Sequence, residues 1–334
     1  MTETRPRVTV ISGYFNRAGS ASASVQSILD QTFANFEYLI FDDASTDETR
    51  SVLESIRDPR IRIIAHERNV GFVRGMIDAV GRARGAYIAV HGSGDFSHPA
   101  RLERQVALLD AHPEVAAVGT HRRNVAPDGA VLSVVRPQEG GLSHARLLRG
   151  NVYSHGEVMF RRSTYDTVGG YRPQFTYAQD RDLWLRMARV ASLAMVPEVL
   201  YDRVVQPDGV SFVPAKIVRQ ALFSQLGVVL DGLPVDEQAA LLARIDAEGI
   251  DAVGLPQGAG LVRRLGRKVA ALGVAGRWAD ALDLARRIPA SALGDRTARS
   301  LLIAFSRVGA RIDPDGALLR RVGRRVAQGS GSDA

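Results

Sequence analysis

Val8-Thr9-Val10-Ile11-Ser12-Gly13-Tyr14-Phe15-Asn16-Arg17 carries an apolar run into a polar, turn-prone end. The design recurs twice in the first hundred residues. Phe36-Glu37-Tyr38-Leu39-Ile40-Phe41 ends in Asp42-Asp43-Ala44-Ser45-Thr46-Asp47, and Ala86-Tyr87-Ile88-Ala89-Val90 ends in His91-Gly92-Ser93-Gly94-Asp95. Helical patterns separate these runs. Val25, Ile28 and Leu29 share a face within Ala21 to Gln31, and a second helix is predicted over Val73 to Arg84. Strand–helix–strand order predicts an α/β fold with a mostly parallel sheet flanked by helices and right-handed crossovers. Ligands of such sheets bind beyond the carboxyl ends of the strands, so acids placed there mark a site for a polar ligand.

The pattern continues outward from that core. Ser45 or Thr46 is the expected cap of a helix carrying Val52, Leu53 and Ile56. Arg60 to Ile64 alternates as a short strand, and Asn69-Val70-Gly71 is a turn. Pro99 opens a helix to Ala111 with Leu102, Val106 and Leu109 facing inward. Later strands are expected at Val115 to Gly119, Val131 to Val135 and Val196 to Val205, with a helix over Asp180 to Val190. From Pro214 the pattern is helical, at roughly 215–231, 235–248, 260–273, 276–288, 291–308 and 315–327. The expected organisation is therefore an α/β domain over 1–212, a helical C-terminal module over 213–327 that faces a membrane or a partner, and a disordered tail at 328–334.

Composition narrows the class. At 46% hydrophobic and 24% charged residues, the 334-residue chain has the make-up of a globular protein with a sizeable core. No run of about 18 apolar residues predicts a membrane-spanning helix, and no signal-peptide core precedes the first strand, so a cytoplasmic protein is expected. The absence of cysteine excludes disulfides, thiolate metal sites and cysteine nucleophiles. The net charge of +7 is uneven: residues 260–334 hold 15 Lys+Arg against 6 Asp+Glu. That excess suits either a solvated helical face or an anionic membrane surface. No aromatic residues interleave with it to stack bases, so nucleic acid is not an expected partner.

Five ordered segments resemble the family 2 inverting glycosyltransferases with a GT-A fold over about residues 6–212. They are the opening strand Val8 to Arg17, the helix and turn Ser27 to Glu37, the Phe41-Asp42-Asp43-Ala44-Ser45-Thr46-Asp47 signature, the segment Asp95 to Gln105, and Ala178-Gln179-Asp180-Arg181-Asp182-Leu183-Trp184-Leu185-Arg186. The resemblance implies transfer of a sugar from a nucleoside diphosphate, most often UDP, to a hydroxyl of a glycan or lipid-linked acceptor in surface polysaccharide synthesis. It also implies peripheral contact with the inner face of the cell membrane. Asp43 would accept a hydrogen bond from the base, and Phe15 would lie against the base face. Asp180 would be the general base of an inverting transfer, with Asp182 as the competing acid. His155 and Trp184 match the acceptor side, although each also reads as a structural residue.

The metal site is where the chain departs from the family. Relatives carry an Asp-X-Asp motif that binds Mn²⁺ or Mg²⁺, and this chain has Gly92-Ser93-Gly94 followed by Asp95. A histidine ligand near the domain's end is matched here by Gln206. Two readings stay open. Asp95 holds a divalent ion with the diphosphate supplying other ligands, or Arg74, another cation such as Arg203 and the backbone amides around Ser93 meet the phosphates directly. The main competing function is a catalytically inactive GT-A-like protein that binds a sugar nucleotide or glycan. A dinucleotide-dependent oxidoreductase is disfavoured, because the turn after the first strand holds one glycine and no G-x-G-x-x-G. Donor sugar, acceptor, linkage and oligomeric state are not encoded in any motif.

Overall fold

The computed structural model describes residues 5–137, 142–206, 209, 213–255, 259–288 and 293–317. The chain divides into two compact units, Met1–Gln206 and Pro207–Ala334. The first ends six residues before the expected boundary at 212.

The first unit runs β1 (Val8–Tyr14), α1 (Ala18–Leu29), β2 (Phe36–Asp42), α2 (Thr49–Ser55), β3 (Ile61–Ala65), α3 (Phe72–Arg82), β4 (Tyr87–Val90), β5 (Phe96–Ser97) and α4 (Arg101–Ala111). It continues with β6 (Val115–Val125), β7 (Val131–Val135), α5 (His144–Arg149), a 3-10 turn (His155–Glu157), β8 (Met159–Arg161), α6 (Arg162–Thr167), α7 (Gln179–Met187) and β9 (Ser192–Val204). Among the described residues the strands form one nine-stranded sheet, in the order β3-β2-β1-β4-β8-β6-β9-β5 with β7 beside β6. β3, β2, β1 and β4 are mutually parallel. β8 lies antiparallel between β4 and β6, and β6 pairs in parallel with β9.

The parallel strands read as near-continuous apolar runs because both faces of the sheet are covered. The period of two sends Ile11, Leu39 and Ile88 to a layer shared with Met76 and Val80 of α3 and Leu183 and Trp184 of α7. It sends Val10, Tyr38, Ile40 and Ala89 to the opposite layer, against Val25 and Ile28 of α1 and Leu102 and Val106 of α4. The buried Thr9 and Glu37 side chains in the sheet are paired. Thr9 Oγ1 donates to Glu37 Oε1, and Glu37 also accepts from the Arg84 amide and the Arg62 and Arg84 guanidinium groups. Burial acts to raise the Glu37 pKa, but these donors together hold it below the usual carboxylate range.

Three expectations change. β6 runs on to Val125, well past the predicted end at Gly119, because β9 and β7 flank its second half. β9 begins at Ser192 rather than Val196 for the same reason: its first residues pair with β6. α2 starts at Thr49, not at a Ser45 or Thr46 cap. Those two residues are occupied elsewhere, and Asp47 Oδ1 accepts from the Thr49 amide at 2.9 Å.

The second unit is helical: α8 (Pro214–Asp231), α9 (Val235–Glu248), α10 (Ala259–Val274), α11 (Trp278–Arg287) and α12 (Leu293–Ile312). Its core joins Ile217, Leu261, Leu265, Val269, Trp278 and Leu284. Trp278 Nε1 donates to the Asp313 carbonyl at 2.6 Å. The helix expected over 315–327 lies almost wholly outside the described residues, and the expected tail at 328–334 lies outside them entirely.

Candidate functional site

The site assembles at the carboxyl ends of β1, β2 and β4. Its first part is a pair of loops sewn together. Ser45 Oγ accepts from the Asn16 amide at 3.0 Å, Asn16 Oδ1 accepts from the Thr46 amide at 2.9 Å, and Thr49 Oγ1 accepts from the Arg17 amide at 2.6 Å. Asn16 and Ala44 both take positive φ, 52° and 60°. The third non-glycine residue in that region, Ala178 at 53°, lies two residues before Asp180. Left-handed backbone costs an L-residue roughly 1–2 kcal/mol. All three such residues among those described flank expected site residues, which is where strained backbone concentrates.

Phe15 emerges from this pair of loops 45% exposed. Asp43 is buried and already engaged. Its Oδ1 accepts from His66 Nδ1 and the Val70 amide, and its Oδ2 accepts from the Gly71 amide, all within 2.9 Å. Asp43 thus pins the end of β2 to the start of α3, and Oδ2 keeps one lone pair for a further donor. Asp42 folds back on its own turn through Ser45.

The loop after β4 is more tightly laced. The Gly92 amide donates to the Tyr201 hydroxyl at 2.9 Å, and the Gly94 amide donates to Ser24 Oγ at 3.1 Å. The backbone donors expected for phosphate at these two glycines are therefore spent, which leaves the amide and hydroxyl of Ser93 outside these bonds. Asp95 Oδ2 accepts from the Tyr201 hydroxyl at 2.7 Å, and Oδ1 accepts from the Val204 amide at 2.8 Å. Burial pushes the Asp95 carboxyl up to about 6, against the pull of Tyr201, Val204 and the Arg203 charge. His91 bonds to Ser24 and Ser97, and burial beside the Arg101 charge pushes its imidazole down to about 3, so it is neutral. Arg101 is itself buried, 5.0 Å from the Tyr201 ring centre, and donates to the Val90 carbonyl and Ser97 Oγ.

The remaining expected site residues lie on and around α7. Asp182 is 2% exposed and held by Arg172 at 3.0 Å and Arg186 at 2.6 Å. Both of its oxygens are thus committed to guanidinium groups in the interior. Asp180, in the same first turn, is half-buried and accepts from Asn151 Nδ2 at 2.6 Å. His155 Nε2 bonds to the Tyr171 hydroxyl at 2.7 Å, and the ring meets Phe72 edge-on at 5.6 Å. Burial lowers the His155 pKa, opposed by the Asp180 charge. Trp184 corrects an expectation: it is fully buried among Tyr153, His155 and Phe160, so it backs His155 and does not form the wall itself. Arg74 stands on an exposed side of α3's first turn.

Residues not anticipated from sequence are Phe72, Tyr171, Asn151 and Tyr201. Phe72 is 40% exposed at the start of α3, directly after the Asn69-Val70-Gly71 turn. All four are brought in by tertiary contacts alone. A hollow of about 620 Å³ lined by Leu142, Ser143, Ala188 and Met195 contains none of these side chains.

A divalent ion does not fit this loop. Both Asp95 oxygens have partners, and a Cβ at Gly92 would overlap Asp95 Oδ2, which excludes a second carboxylate there. Among the described residues no group of three or more His, Asp or Glu side chains is placed to hold a metal.

Comparison with known proteins bears on the family and the fold. The profile of "Glycosyl transferase family 2" matches residues 9–169. The Bacillus subtilis protein named "Putative glycosyltransferase EpsE" is 34% identical over 188 residues, covering 54% of this chain and 66% of that protein. The chondroitin synthase of Pasteurella multocida is 28% identical over 212 residues, covering 62% of this chain and 21% of the synthase. The chain thus spans just under two thirds of the first relative and about a fifth of the second. The crystal structure of S. aureus TarS 1-349 in complex with UDP-GlcNAc superposes with a TM-score of 0.57 at 17% identity, covering 91% of this chain and 90% of that one. That likeness supports the fold.

Proposed function

We propose that this chain, a member of glycosyl transferase family 2, transfers a sugar with inversion from a nucleoside diphosphate, most plainly UDP, to a hydroxyl of a glycan or lipid-linked acceptor in polysaccharide synthesis. The observation that carries the reading is the division of labour on α7. Asp182 is locked by two arginines, while Asp180 is left as the half-buried carboxylate beside His155 and Tyr171. The acceptor oxygen would attack C1 as its proton passes to Asp180, and the C1–O bond to the diphosphate would break with the electron pair leaving on phosphate. Phe15 offers a face to the base, and the remaining lone pair of Asp43 Oδ2 offers an acceptor to a ring N–H. The UDP-GlcNAc bound to TarS favours a uridine donor, and the chondroitin synthase match favours a polysaccharide product.

The test is release of nucleoside diphosphate from a panel of UDP- and GDP-sugars, with the product's anomeric configuration read by NMR. Turnover with inverted configuration is expected. Nucleotide binding without turnover across a panel that includes lipid-linked acceptors would favour the binding-only alternative, and a retained configuration would remove Asp180 from its role.

Membrane contact is assigned to the helical unit. Leu301, Phe305, Val308 and Ile312 are exposed on α12 at spacings that place them along one side of the helix, within the most basic part of the chain. Among the described residues no helix is long and apolar enough to cross a membrane. Such a stripe suits shallow burial in an anionic leaflet, where each nearby Lys or Arg contributes about 1 kcal/mol. Co-sedimentation with phosphatidylcholine vesicles is expected to rise when phosphatidylglycerol is included and to drop for Leu301→Asp/Ile312→Asp. Binding indifferent to lipid charge, or a change of oligomeric state in its place, would reject the assignment.

A further inference from the structure

We propose, resting on the transferase reading, that the donor's diphosphate is bound directly by hydrogen-bond donors around Gly94 and Gln206, with no divalent ion between. Three observations converge on that place. First, Asp95 acts as a latch. It joins the loop after β4 to β9 through the Tyr201 hydroxyl and the Val204 amide. The latch is closely fitted, since a Cβ at Gly92 would overlap Asp95 Oδ2 and one at Gly156 would overlap the Tyr201 hydroxyl. Turning Asp95 toward a cation would leave the Tyr201 hydroxyl and the Val204 amide without their acceptors, a cost that buried donors resist.

Second, positions 94 and 206, distant in sequence, are neighbours in space. A Cβ on Gly94 would lie 2.9 Å from Ser20 Oγ and 3.9 Å from Gln206 Nε2. Gly94 takes φ +91°, a conformation that disfavours any side chain able to reach a metal. Third, the chemistry of the surroundings is that of an anion site. The carboxamide of Gln206 and the hydroxyl of Ser20, which makes only a long 3.4 Å bond to the Arg17 carbonyl, lie beside Gly94, Ser93 directly precedes it in the chain, and the Arg203 charge is felt at Asp95. Mg²⁺ and Mn²⁺ favour carboxylate oxygens, whereas phosphate oxygens favour N–H and O–H donors with a guanidinium nearby.

The experiment is calorimetric titration of the full chain with UDP and with GDP, each in EDTA and again with Mn²⁺. The nucleotide that binds is expected to do so with Kd values within about threefold in the two buffers. Gln206→Ala should weaken binding about tenfold in both. Asp95→Asn should lower the melting temperature and leave the ratio of the two Kd values unchanged, and Tyr201→Phe, which deletes the other half of the latch, should do the same. Tightening by Mn²⁺ of about tenfold or more, abolished in Asp95→Asn, would overturn the proposal. Metal-indifferent binding without turnover would sink the transferase reading and leave this site standing. A chain that binds neither nucleotide in either buffer refutes both.

Discussion

Asp180→Asn is expected to lower the transfer rate by about 10²–10⁴-fold while nucleotide affinity stays within about twofold. The substitution is well matched to the site. Asparagine keeps a side-chain oxygen that can still accept from Asn151 Nδ2, the 2.6 Å bond that orients Asp180 at the start of α7. What it removes is the ability to take a proton. The neighbouring acid gives the internal control. Asp182→Asn leaves Arg172 and Arg186 facing a neutral partner in the interior, and breaking a buried pair of this kind costs about 3–5 kcal/mol. Its signature should be a lower melting temperature with residual activity in whatever remains folded. Single-turnover rates and thermal melts on both variants separate the roles. An Asp180→Asn enzyme retaining more than about a tenth of the wild-type rate would move the base elsewhere.

Gly13→Ala is expected to destabilise the sheet unit by about 3 kcal/mol, at the upper end of the range for overpacked cores. Phe41 is 1% exposed, and its ring lies between Gly13 of β1 and Gly75 of α3. A methyl at either glycine would overlap that ring, and the ring has no room to retreat because the other glycine bounds its far side. Phe41 also stacks on His66 at 5.7 Å and approaches Phe72 at 6.0 Å, so a displaced ring disturbs the segment that Asp43 pins. Chemical denaturation should show the loss for Gly13→Ala and a similar one for Gly75→Ala. Phe41→Leu combined with Gly13→Ala should recover part of it, because the smaller side chain makes room for the added methyl. Full wild-type stability in Gly13→Ala would mean the ring is not confined.

The strands at Val8, Phe36 and Tyr87 were legible because both faces of each are covered, which writes an unbroken apolar run into the sequence. Asp43, Asp95 and Asp180 were legible as candidates because each follows or begins a regular element at a point where acid serves no core purpose. Their partners were not legible. The hydroxyl of Tyr201 reaches Asp95 across more than a hundred residues, and Tyr171 meets His155 only once α7 is docked. For Trp184, between Leu183 and Leu185, the sequence allowed core or acceptor wall, and the ring turns wholly inward, while Arg181 and Asp182 on the same helix are buried by pairing. The caps of α2 were misread because Ser45 and Thr46 bond to the loop after β1, a contact that propensity does not encode.

The place of β8 in the sheet has a consequence for the growing chain on the ribosome. β3, β2, β1 and β4 are all synthesised by Val90, so their mutual pairings need no later strand. The strand that closes the far edge of β4 begins only at Met159. At ~5–20 residues per second, that edge stays unpaired for about 3–14 s after β4 is made. An open edge of buried-type residues is a template for pairing with another chain. The half of the domain built on β1 to β4 therefore waits, half-finished and adhesive, for the strand whose arrival brings His155 into place, and chaperone demand during synthesis should concentrate in that interval.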